Sequence, residues 1–190
     1  METLIHEDKE FKNITFKEKE TKDREFDNCS FTNCDLSNGA FTSSKFIDCI
    51  FTNCNLAMVK LNHCQMNNVS FKGCKLLGVN FSNCTDFLFI VKFDGCILDY
   101  ASFMRKKMQK TPFLNTSMKS VDFAETDLTG SKFINTDLTD TIFNRTILKE
   151  ADFLTAINYN IDPEINNIRK AKFSLYGVSG LLSKYDIEIE

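Results

Sequence analysis

The chain has 190 residues, 43 % hydrophobic and 26 % charged, with a formal net charge of −3. That length suits one domain, and the charge excludes a globally basic nucleic-acid binder. No run approaches the roughly 18 apolar residues of a membrane helix, and the opening METLIHEDKE lacks a basic, apolar signal segment, so a cytoplasmic protein without membrane contact is expected.

Residues 1–10 carry no pattern and are expected to form an N-terminal lead-in or cap. From Phe11, steps of five give Phe11, Phe16, Thr21, Phe26, Phe31, Leu36 and so on to Phe81, and every position except Thr21 is Phe, Leu or Met. The next apolar position, Leu88, comes after seven residues. From it a second frame runs through Phe93, Leu98, Phe103 and Met108 to Leu148 and Phe153, and Phe173 lies on it further along. Of the 19 Phe, only Phe87 and Phe89 fall off both frames.

A period of five suits neither regular element. On a helix it turns each apolar residue about 140° from the last, and on a continuous strand it sends alternate rings to opposite faces. It works if the backbone turns a corner every five residues, so that four quarter-turns close a square coil of twenty and every centre points inward. Two residues before each centre a second inward set must be small, and it reads Cys29, Cys34, Gly39, Ser44 early and Val121, Thr126, Ser131, Thr136 late. The expected fold is an all-β solenoid over 11–156 with stacked coils about 4.8 Å apart.

Stretches such as Cys34-Asp35-Leu36-Ser37-Asn38, Thr126-Asp127-Leu128-Thr129-Gly130 and Thr136-Asp137-Leu138-Thr139-Asp140 resemble the A(D/N)LXX consensus of the pentapeptide-repeat family. The resemblance implies a right-handed quadrilateral β-helix.

The frame slip at 82–88 reads as a kink between two stacked halves. Lys19 and Lys106 fall on inward small positions, where an unpaired ammonium costs several kcal/mol, so Lys17–Glu25 and Met104–Pro112 read as excursions from the coil. After Phe153 the centres fail at Asn158 and Pro163, and Asp162-Pro163-Glu164 has the residues of a short helix start. The segment 157–190 is expected to be a cap with a short helix over 179–185 and a strand over 186–190, or a dimerisation element through Leu181, Leu182, Tyr185, Ile187 and Ile189.

The eight Cys (Cys29, Cys34, Cys49, Cys54, Cys64, Cys74, Cys84, Cys96) all lie two residues before a frame position, which reads as a buried, reduced ladder and not as zinc ligands, because no C-x2-C pair occurs. No phosphate-binding or hydrolase motif is present, so neither a cofactor, a metal nor a catalytic residue is expected, and the protein is read as no enzyme. The candidate partner-binding residues are outward ones. They are the presumed loop Met104, Arg105, Lys106, Lys107, Met108, Gln109, Lys110 and Thr111, the acidic band Asp122, Asp127, Asp137 and Asp140, and the apolar stripe Leu114, Ile134 and Leu154.

Within the family, Ala101-Ser102-Phe103-Met104 and the tail from Gly180 to Ile189 resemble the Qnr-type quinolone-resistance branch. That resemblance implies a DNA-shaped rod, dimeric through its C-terminus, that binds the protein DNA gyrase or topoisomerase IV and not nucleic acid itself. About eight coils make a rod near ~40 Å, a length over which duplex DNA carries about 23 charges. A net −3 excludes a uniform charge mimic and leaves only the local acidic band. The alternative is a scaffold for another protein partner, bound through the apolar stripe.

Overall fold

The computed structural model describes residues 4–16, 20–185 and 187–188. The chain winds as an all-β solenoid in which every strand pair is parallel. One face stacks nine short strands, from Glu10–Lys12 through Val91–Asp94 and Pro112–Leu114 to Lys172–Phe173. The register is twenty residues, with Phe11 opposite Phe31 and Phe113 opposite Phe133. It becomes twenty-two only across the slip, where Phe71 faces Phe93.

The corners have a chemical cause. Two residues after most centres the backbone enters the left-handed region, as at Asn28 (φ 50°), Asn33 (φ 53°), Asn115 (φ 51°) and Asn135 (φ 52°). Asn and Asp tolerate that region better than other residues with a Cβ. Between corners, backbone amides pair along the coil axis: Leu98 N–H donates to the Ser117 carbonyl at 2.8 Å and Ser117 N–H to the Cys96 carbonyl at 2.9 Å.

The rings stack along the axis in two columns that meet edge to face. Phe93, Phe113, Phe133 and Phe153 lie 5.6, 5.0 and 4.6 Å apart, nearly parallel, while Phe103 meets Phe113 at 6.3 Å and 74°. Both arrangements suit the ring quadrupole. The small inward residues also use their polar atoms: Thr126 Oγ1 and Ser131 Oγ each donate to a carbonyl of the preceding coil at 2.8 Å, and Cys49 Sγ does so at 3.3 Å.

The coil is longer than the sequence pattern implies. Leu4–Glu7 pairs with Arg24–Asp27, and His6 stacks on Phe26 at 4.9 Å, so this part of the presumed lead-in belongs to the solenoid and His6 occupies a centre. Glu20–Lys22 pairs in register with Ala40–Thr42, and Arg24–Asp27 is also paired. Glu20–Glu25 is therefore no excursion; residues 17–19 lie outside the described residues. At the other end Tyr159, Ile161 and Asn166 are buried and Phe173 stacks on Phe153 at 5.2 Å, which carries the coil past 156. Asn166 satisfies its own burial by donating to the Phe143 and Asp162 carbonyls.

The C-terminal helix takes the form of two 3-10 turns, Val178–Leu181 and Ser183–Tyr185. Asp162–Glu164 is a turn and not a helix start, closed by Glu164 N–H donating to Asp162 Oδ1 at 2.8 Å. Ile187 and Glu188 are in no strand; residues 186, 189 and 190 lie outside the described residues.

Candidate partner-binding surface

The slip adds two residues to one coil. Cys84–Leu88 keeps the five-residue count, with Cys84 buried and Leu88 in the corner conformation (φ 53°). Asp86 stands where a ring is due but turns out to solvent, and Phe89 points inward instead, 6.3 Å from Phe81. Leu88 is consequently exposed and not a centre, against the sequence reading, because a corner residue projects from the coil. The insertion leaves an exposed apolar corner of Phe87, Leu88 and Ile90, with Phe87 70 % exposed.

Lys106 fills the space behind that corner. Its side chain is buried, and Nζ donates to Asp86 Oδ1 at 2.7 Å and to the Cys84 carbonyl, 5.3 Å from the centre of the Phe89 ring. The buried ammonium is paired, so nothing expels the segment from the coil. Met104–Pro112 is therefore not a loop: Met108 and Thr111 are buried, the Lys107 backbone forms a parallel β-bridge with that of Asp127, and Met108 N–H donates to the Asp127 carbonyl at 2.7 Å. Of the residues assigned to that loop, Arg105, Lys107, Gln109 and Lys110 are exposed and Met104 is half-buried. Arg105 pairs with Glu125 at 3.1 Å and Gln109 donates to Asp127 at 2.7 Å.

The acidic residues form no patch on one face. Asp122, Asp127 and Asp137 occupy equivalent positions on three different sides of one coil, bridging to Ile142, Ile147 and Ile157 of the next. Each carboxylate accepts the backbone N–H two residues on, from Ala124 at 2.9 Å, Thr129 at 3.0 Å and Thr139 at 3.1 Å. This is the turn-closing role of Asx residues. Burial raises the Asp137 carboxyl, but hydrogen bonds from Thr139, Asn158 and Lys119 outweigh it and hold it below the usual value. Asp140 is an exposed corner residue. In the apolar stripe Leu114 and Ile134 are in register and half-buried, and Leu154 is exposed.

Family models described as a pentapeptide repeat region and as pentapeptide repeats in eight copies match residues 24–103 and 122–153. The chain belongs to the pentapeptide-repeat family. Among solved structures it is similar to a trypsin-treated variant of QnrB1, a plasmid-mediated fluoroquinolone resistance protein, at 15 % identity over 100 % of both chains with a TM-score of 0.59. It is also similar to HetL of the cyanobacterium Nostoc, a pentapeptide repeat protein involved in heterocyst differentiation regulation, at 13 % identity over 89 % of this chain and 86 % of that one, with a TM-score of 0.33. No curated protein matches the sequence.

The pentapeptide-repeat rod closes at its C-terminal end through the predicted dimerisation residues. Leu181 packs against the core and Leu182 is half-buried. Tyr185 donates through its hydroxyl to Glu164 at 2.9 Å, and Lys184 bridges Asp162 and Glu164 at 2.8 and 2.7 Å. Ile187 is exposed, and Ile189 lies outside the described residues.

All eight thiols are buried; burial pushes those of Cys49 and Cys64 up to about 12, so these two are protonated near neutrality, whereas hydrogen bonding with Cys74 brings the Cys54 thiol down to about 7. Among the described residues no group of three or more His, Cys, Asp or Glu is placed to hold a metal, and no helix is long and apolar enough to cross a membrane.

Proposed function

We propose that this pentapeptide-repeat protein is a non-catalytic binding rod whose partner is a type II topoisomerase, DNA gyrase or topoisomerase IV. The observation that carries the reading is the apolar corner of Phe87, Leu88 and Ile90 standing out from a packed rod. An exposed cluster of large apolar residues on a stable scaffold marks a protein contact. The corner replaces Met104–Thr111 as the projecting element, with three large apolar side chains exposed within four residues of chain. The fold shared with QnrB1 supports the choice of partner. The rod binds by shape and by this corner, since its acidic side chains are spread over three sides and engaged in turns.

The experiment is a gyrase supercoiling assay with a fluoroquinolone, with and without micromolar purified protein. Recovery of supercoiling in the presence of the drug, or inhibition of supercoiling in its absence, supports the reading; no effect of either kind overturns it.

A second reading has its own observation. Leu114 and Ile134 stack in register with Leu154 in the next coil, which suits a different protein partner along that face. Pull-down with Ile134→Asp tests it: loss of one retained protein supports it, and an unchanged set counts against it.

A further inference from the structure

The N-terminal end of the rod holds a cavity of about 100 Å³ that closes one coil further in. Its origin is a single position. Thr21 lies in register beneath Phe41, on the side of the coil where Phe81, Phe103, Phe123 and Phe143 supply rings. A threonine there leaves part of the space of a phenyl ring unfilled, walled by Phe16, Phe31 and Phe41.

Two further lining residues are polar, His6 and Arg24. Burial, then the charges of Arg24 and Lys9, hold His6 below its ordinary value, so it is a neutral ring stacked on Phe26. Arg24 is half-buried, yet its guanidinium makes no ion pair or hydrogen bond among the described residues. A partly desolvated arginine is ordinarily paired with a carboxylate.

We infer that this end cavity binds a small organic carboxylate with an apolar tail, the tail among the phenyl rings and the carboxylate on Arg24. A cavity of about 150 Å³ lined by such side chains holds a benzene ring, so the smaller space here takes a tail of about four carbons. The site is independent of the corner at Phe87 and of the topoisomerase reading.

The test is a ligand-observed NMR titration of the full chain at pH 7.5 with sodium pentanoate and with 1-pentanol. Pentanoate is expected to bind saturably and at least five-fold more tightly than pentanol. Arg24→Gln should bring pentanoate down to the affinity of pentanol, and Thr21→Phe, which supplies the missing ring, should abolish binding of both. Equal affinity of the two probes for the natural protein, no saturable binding, or binding undiminished by Arg24→Gln overturns the inference. The Arg24 variant changes a residue at the mouth and carries the test whether or not Thr21→Phe folds.

Discussion

Lys106 and Asp86 meet across the boundary between two coils, with Nζ 2.7 Å from the carboxylate, the lysine buried and the aspartate open to water. Each breaks the repeat alone, one by placing a charge where Thr126 and Thr146 stand in later coils, the other by leaving a centre without a ring. Together they are compatible, because the ammonium that cannot lie unpaired in the core reaches the carboxylate that the slip has turned outward. The pair thereby fixes the base of the exposed corner.

This relationship predicts a non-additive pair of substitutions. Asp86→Ala leaves a buried ammonium with only a carbonyl and a ring, and should cost about 1–3 kcal/mol. Lys106→Met removes the charge and should cost less. The double variant should recover most of the Asp86→Ala loss, a coupling that chemical denaturation of the four proteins measures; additive losses contradict the pairing.

Phe113 and Phe87 are the same residue type with opposite environments. Phe113 is fully buried between Phe93 and Phe133, and Phe113→Ala should destabilise by about 3–5 kcal/mol. Phe87 is 70 % exposed, and Phe87→Ala should stay within about 0.5 kcal/mol. Thermal or urea unfolding compares them directly.

Asp137 predicts a pH dependence. Against the effect of burial, its carboxyl is held below the ordinary 3.8 by hydrogen bonds from Thr139, Asn158 and Lys119, so the folded state favours its charged form. That contribution is complete above pH 3.8 and is lost as the pH falls from there through the lower folded value. Melting curves from pH 7 to pH 3 should show Asp137→Asn less stable than the natural protein at neutrality, with the gap closing below pH 3.8. A gap independent of pH contradicts the assignment.

The coil was legible because its period is steric: rings every five residues cannot share a side of any straight element, and small residues two before them leave room for the rings. The corners were legible in principle from Asn28, Asn33, Asn115 and Asn135, all at one repeat position, which reports a left-handed backbone. The ends were obscured where the count changes, since Tyr159 comes six residues after Phe153 and Asn158 takes the corner between them (φ 59°). Lys106 misled for a different reason. Its compensation comes from Asp86, a residue twenty positions earlier on an interrupted coil, and only the three-dimensional stacking brings the two together. Asp122, Asp127 and Asp137 were visible as acids, but the backbone amides they accept from are a property of the folded turn.

The most direct test of the binding-rod account is sedimentation velocity of the protein mixed with DNA gyrase, compared with its Phe87→Asp variant. The account predicts that the natural protein co-sediments with the enzyme at micromolar concentration and that Phe87→Asp, still folded, loses at least tenfold in affinity. Separate sedimentation of both proteins, or equal binding by the variant, contradicts it.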